Sequence, residues 1–232
     1  MNKNFLIIGG SSGIGLASGR LLVEKGHNVY ASYLNHAQET GTSGITYFKY
    51  DVQDEEFSFE NLPAVLDGLV YCPGTIQLKP FHRIQAGSFI ADYNLQVVGA
   101  VKVLQAVLPN LKKSELSSVV LFSTVAVQTG FSFHSLISAS KGAIEGLTRA
   151  LAAEFAPKIR VNCIAPSLTD TPLAKQLLNS PEKIEGNAQR HPLKRIGKTI
   201  DIANAVNFLL SSESSWVTGQ VLKIDGGLSV IK

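Results

Sequence analysis

A short apolar run that breaks into glycines and then resumes at helical intervals constrains this chain more than any other stretch. Phe5-Leu6-Ile7-Ile8 contains no polar residue, as expected of a parallel strand covered on both faces. It leads into Gly9-Gly10-Ser11-Ser12-Gly13-Ile14-Gly15, after which Leu16, Ala17, Leu21, Leu22 and Val23 recur with helical spacing up to Gly26. A glycine-rich turn between a strand and a helix lets backbone N–H groups approach a pyrophosphate at the positive helix end. The pattern predicts a dinucleotide site built from Gly9, Ser11, Ser12, Gly13, Ile14 and Gly15.

Similar alternation continues along the chain. Further strands are expected at Asn28 to Tyr33, Ile45 to Tyr50, Leu69 to Tyr71, Val119 to Phe122, Ile159 to Ile164 and Val221 to Ile224. Long helices are expected from about Gln85 to Leu111 and from Leu136 to Phe155, with another starting near Thr199. Strands alternating with helices predict an α/β fold: a doubly wound, Rossmann-type parallel sheet of about seven strands flanked by helices. With 232 residues and no visible linker, one domain over 1–232 is expected. Fifteen residues separate Asp51 from Asp67 and include Pro63, so that crossover is expected to be abbreviated. The segment over about 167–199 carries Pro166 at its edge and Pro172, Pro181 and Pro192 within, and reads as a substrate loop or lid.

Composition excludes several classes. Charged residues are only 17% and the net charge is +3, with Lys and Arg scattered, so nucleic-acid binding is not expected. No run of about 18 apolar residues predicts a membrane span. The start passes almost directly into a strand without a charged leader, which points to a cytoplasmic protein. Cys72 and Cys163 lie far apart in apolar runs and are expected as buried thiols, and no metal site is expected.

The carboxyl ends of the strands carry the polar candidates. In dinucleotide folds an acid near the end of the second strand binds the ribose hydroxyls and selects NAD. Here Ser32, Tyr33 and Asn35 stand there with no carboxylate among them and no visible Arg or Lys, so NADP or NAD is expected, with a mild lean to NADP. Asp51 could accept from the adenine amino group or could cap a turn. Asn94, inside a long apolar helix, is expected to be a buried amide serving as a backbone latch or an active-site member. Ser123 and Thr124 leave the end of the fifth strand.

Together these residues resemble the short-chain dehydrogenase/reductase family over essentially the whole chain, with the closest likeness to single-domain 3-oxoacyl-carrier-protein reductases. Gly9, Gly13 and Gly15 match its glycine motif, and Asp51, followed by Val52, matches its adenine-site acid. Tyr71-Cys72-Pro73-Gly74 occupies the place of the family's Asn-Asn-Ala-Gly turn and keeps its glycine. Asn94 is matched to the helix Asn that holds a relay water. Arg160 to Pro166 and Thr171 match the segment at the nicotinamide, although Ser167 replaces the usual Gly. Pro192 to Gly197, Thr218-Gly219-Gln220 and Asp225-Gly226-Gly227 match the C-terminal part. The resemblance implies a small-molecule carbonyl or acyl substrate and a homodimer or homotetramer.

It also implies a catalytic Ser, Tyr and Lys, and here the chain departs. The Tyr precedes the Lys by four residues, one turn on the same helix face. Counting back from Lys141 gives Ile137, and thirteen residues before that stands Thr124. Threonine keeps a hydroxyl for polarising a carbonyl; isoleucine keeps no proton to donate. Three readings follow: a dinucleotide binder with slow or absent turnover, a relocated donor with His134 as candidate, or a binding or regulatory role as a scaffold or partner subunit. Lys141 itself is expected to contact the cofactor.

Overall fold

The computed structural model describes residues 2–35, 44–54, 59 and 61–231. Strands β1 (Asn4–Ile8), β2 (Asn28–Tyr33), β3 (Ile45–Lys49) and β4 (Gly68–Tyr71) form the first half, with α1 (Gly13–Glu24) linking β1 to β2. The second half runs through α2 (Ala86–Tyr93), α3 (Gly99–Lys112), β5 (Ser117–Phe122), α4 (Ala126–Thr129), α5 (Ser135–Phe155) and β6 (Ile159–Pro166). It closes with β7 (Thr169–Asp170), α6 (Pro181–Gln189), β8 (Gly197–Lys198), α7 (Thr199–Leu210) and β9 (Val221–Ile224).

Seven strands make one sheet in the order β3-β2-β1-β4-β5-β6-β9, with every neighbouring pair parallel. The uninterrupted apolar run of β1 has a direct cause. Leu6 and Ile8 point into a core layer with Val103 and Val107 of α3 and Ile144 of α5. Phe5 and Ile7 point to the opposite layer, with Leu22 of α1 and Ile202, Val206 and Leu209 of α7. A strand covered on both faces has no position to give to a polar side chain.

The strand order reverses between β1 and β4, so the turns after β1 and β4 diverge and leave a crevice at the carboxyl edge. The turns after β5 and β6 open on the same edge. Between Asp51 and Asp67 no helix occurs among the described residues, in line with the short spacing. The long helical stretch is interrupted: Asn94–Val98 forms a π-helical turn between α2 and α3. The segment 167–199, read as irregular, carries its own structure in β7, a 3₁₀ turn over Pro172–Leu177, α6 and β8. Among the described residues no helix is long and apolar enough to cross a membrane.

Candidate active site

The glycine turn is shaped by close approach. Gly9 adopts φ +75°, and a Cβ on Gly15 would lie 2.3 Å from the Gly9 carbonyl oxygen. Helix α1 therefore begins almost on top of the β1 end. Ser12, its N-cap, makes no side-chain cap hydrogen bond, which leaves the first-turn N–H groups free of side-chain capping. A Cβ on Gly13 would lie 3.6 Å from Thr171, so the segment after β7 faces the same turn. These features fit the pyrophosphate of a dinucleotide.

Ser32 stands elsewhere than expected. It is 2% exposed, and its Oγ accepts from Gly9 N at 2.9 Å. The hydroxyl braces the glycine turn from beneath and does not project outward for a ribose. Ser32→Ala should orphan that N–H and cost roughly 1–3 kcal/mol of stability, read as a lower denaturation midpoint. Asp51 lies partly exposed at the crevice, with Oδ1 accepting from Gln53 N at 2.9 Å. The Val52 side chain is in the core beside Gly99.

A cavity of about 520 Å³ extends from Ile14 and Gly74 along Thr124, Ile137 and Lys141 to the lid residues around Thr171. The ends of β5 and β6 supply its floor, the head of α5 one wall, and the 3₁₀ turn and α6 the cover. The two hydroxyls after β5 both border the cavity, but they are bonded differently. Ser123 donates to Glu145 Oε1 at 2.7 Å, deep beneath α5. Thr124 is half-buried, lines the cavity, and its Oγ1 accepts from Ala126 N at 3.3 Å. Thr124 is thus the hydroxyl presented to a ligand.

Ile137 is 6% exposed and borders the cavity one turn before Lys141. Lys141 is 9% exposed, and burial lowers its pKa to about 8, with Cys163, Asp92 and Cys72 acting in the opposite direction. Burial pushes the Cys72 thiol, also on the wall, up to about 12. His134 caps α5 and borders the cavity, with Nδ1 2.7 Å from Ser132 O. His191 lies opposite, its Nε2 2.9 Å from Ser167 Oγ and its Nδ1 2.8 Å from Asn187 O. The Pro166 carbonyl accepts from Val125 N at 3.2 Å, and Thr171 Oγ1 accepts from Ala174 N, capping the 3₁₀ turn.

Asn94 is corrected by the structure. It is exposed at the start of the π turn and does not border the cavity. The buried amide of this stretch is Gln96, 1% exposed, whose Oε1 lies 3.3 Å from the position of a Cβ on Gly74; Lys141 Nζ lies 3.6 Å from that position. Residues two apart on a helix differ by about 200° in direction, so Asn94 and Gln96 cannot share a face. Asp92 and Thr75, which join Gln96, were not singled out from the sequence. The i, i+4 pairing of Asp92 with Gln96 on an otherwise apolar helix was the available signal.

The chain matches known proteins over almost its full length. Residues 9–229 match a protein family described as enoyl-(acyl carrier protein) reductase. The chain is 35% identical over 243 residues to the human (Homo sapiens) 3-oxoacyl-[acyl-carrier-protein] reductase, covering 100% of both. It is 33% identical over 244 residues to the 3-oxoacyl-[acyl-carrier-protein] reductase FabG of Thermotoga maritima, covering 98% of each. Among solved structures, the ligand-free aldohexose dehydrogenase of Thermoplasma acidophilum superposes with a TM-score of 0.91 at 28% identity, covering 100% of this chain and 95% of that one. ElxO with NADP bound superposes with a TM-score of 0.86 at 26% identity, covering 98% and 99%.

Proposed function

The chain belongs to the short-chain dehydrogenase/reductase family, and from that premise we propose that it is an oxidoreductase exchanging hydride between NADP(H) or NAD(H) and a carbonyl or alcohol. The observation that carries this reading is the cavity itself, which joins the open glycine turn at Ile14 to Thr124 and Lys141. Bound there, the nicotinamide supplies or accepts the hydride. The glycine turn and the uncapped start of α1 would hold the pyrophosphate, with Ser11, Ser12 and Ile14 alongside. Asp51 and Val52 would border the adenine. Gly74, Lys141, Pro166 and Thr171 would border the nicotinamide riboside.

The residues of the chain divide the remaining work. Thr124 offers its hydroxyl to the carbonyl oxygen, and Ile137 keeps that end of the cavity dry. Leu168, Leu173, Leu177 and Phe131 line the substrate side, while among the described residues no Asp or Glu lines the cavity. An acyl compound or another small carbonyl compound with an apolar body suits that lining. The absence of a carboxylate at the end of β2 favours NADP, whose 2′-phosphate would meet no repulsion there. A homodimer or homotetramer is the assembly expected of such a chain.

Fluorescence titration with NADPH and NADH tests the cofactor reading. Saturable binding is expected, tighter for NADPH; no response to either nucleotide would remove the oxidoreductase reading. A panel of acyl and small apolar carbonyl compounds then tests turnover, which is expected to be slow because no tyrosine stands at Ile137.

A further inference from the structure

Beneath the Gly74 turn lies a buried polar cluster that the hydride reaction, as described so far, does not use. Asp92 of α2 is 4% exposed. Its Oδ1 accepts from Thr75 Oγ1 at 2.5 Å and its Oδ2 from Gln96 Nε2 at 2.7 Å. An ionised carboxylate only accepts, so the Gln96 NH₂ must face Asp92 and the amide oxygen must face the other way. That oxygen is buried without a hydrogen-bond partner among the described residues. It borders the same space above Gly74 as Lys141 Nζ, at 3.3 Å and 3.6 Å from one point. A buried acceptor left open near an ammonium donor is costly unless a water in the shared space bridges the two.

The cavity offers few other acids. Ile137 has no proton to give. The Cys72 thiol, pushed up to about 12, is too weak an acid near neutrality. Both ring nitrogens of His191 are engaged, and a guanidinium such as Arg190 does not give up its proton. His134 remains, with Nδ1 tied to Ser132 O, as does Lys183, an exposed ammonium of α6 at the far side of the cavity.

We propose that Lys141 is the proton donor to the substrate carbonyl in this chain, and that Asp92, acting through Gln96, is the positioning residue that holds the ammonium charged and in place. This rests on the oxidoreductase reading above. As the carbonyl carbon receives hydride from the reduced nicotinamide, one Nζ–H bond breaks and an O–H bond forms on the product alcohol. Lys141 is left neutral and regains its proton from solvent through the open cavity. In the reverse direction neutral Lys141 takes the alcohol proton.

The sign of the pH dependence follows from the titratable groups around Nζ. Asp92 faces it from α2, Cys72 from the end of β4 and Cys163 from β6; burial lowers the lysine and these three oppose it. Glu145, one turn further along α5, is occupied by Ser123 and Gln128. Reduction therefore requires the ammonium form and should fall as pH rises through about 8. Removing the Asp92 charge lowers the lysine further and should move that limb to lower pH.

The test compares wild type with Asp92→Asn, which keeps the shape and an acceptor for Thr75. A second variant, Gln96→Met, keeps volume and removes the acceptor; thermal melts identify any variant that does not fold, and the other then decides. Two readouts are taken: the pH–rate profile of carbonyl reduction, and an NMR titration of the lysine ammonium groups, with the Lys141 signal identified by its loss in Lys141→Met. A limb and a Lys141 midpoint that both move to lower pH support the proposal. Unmoved limb and midpoint overturn it and leave the oxidoreductase reading standing. Loss of the limb in His134→Ala, with the Lys141 midpoint unchanged, transfers the donor role to His134 and likewise overturns it. No turnover by a wild type that binds NADPH overturns the oxidoreductase reading itself, and the donor role with it.

Discussion

Ile137→Tyr is expected to raise the rate of carbonyl reduction by about 10²-fold, the lower end of the worth of a positioned general acid, because Lys141 already donates. The substituted side chain starts one helical turn before Lys141 and points into the same cavity of about 520 Å³, which has volume for the ring. A phenol beside a buried ammonium loses its proton more readily than one in water, so the existing lysine would tune the introduced acid. Thr124 already stands opposite with its hydroxyl toward the cavity. Steady-state kinetics on the carbonyl panel measures the gain as kcat at saturating NADPH. A gain of this size in kcat, with KM for NADPH little changed, marks an added proton donor. A variant that folds and binds NADPH but shows no gain would mean that the substrate carbonyl lies elsewhere than beside Thr124 and position 137.

Gly15→Ala is expected to have the largest effect on the folded state. The added Cβ would lie 2.3 Å from Gly9 O and 3.0 Å from Gly10 Cα, both backbone atoms that no rotamer change can move aside. Relief requires α1 to shift away from the end of β1. Overpacking of this kind costs about 1–3 kcal/mol or more, and a backbone clash belongs at the upper end. For a domain of this size about 3 kcal/mol corresponds to roughly 6–12 °C in Tm, measurable by circular dichroism. The same shift moves the first-turn N–H groups of α1 from the pyrophosphate, so affinity for NADPH should fall by at least about tenfold. A variant with unchanged Tm and unchanged NADPH affinity would show that the close helix–strand contact matters for neither.

Much of the architecture was legible because it rests on local repetition. The apolar runs of β1, β5 and β6 signal a two-sided sheet, and their neighbours in sequence fall alternately in two core layers. The Ile137–Lys141 spacing was legible for the same reason: four residues make one helical turn whatever the surroundings, and both side chains do border one cavity. The prolines of 167–199 point to irregular chain, yet Ser180 and Pro181 start a helix there, with Ser180 Oγ accepting from Lys183 N at 3.3 Å.

The site's inner groups were not legible in the same way. Ser123 and Thr124 are adjacent, chemically alike and both at the cavity, and it is Glu145, twenty-two residues on, that takes the Ser123 proton while Thr124 Oγ1 accepts from Ala126 N. The position of Ser32 at the end of β2 suggests a ribose contact, but Gly9 N, twenty-three residues back, claims its oxygen. Asn94 and Gln96 are both amides in one helix, and the direction each faces is set by how α2 and the π turn seat on the sheet. What the sequence determined alone was therefore the periodic part: the doubly wound sheet, the glycine turn, and an isoleucine one turn before Lys141. Which polar groups face the cavity was decided by the tertiary structure, because a hydrogen bond between distant residues overrides any preference that a side chain carries locally.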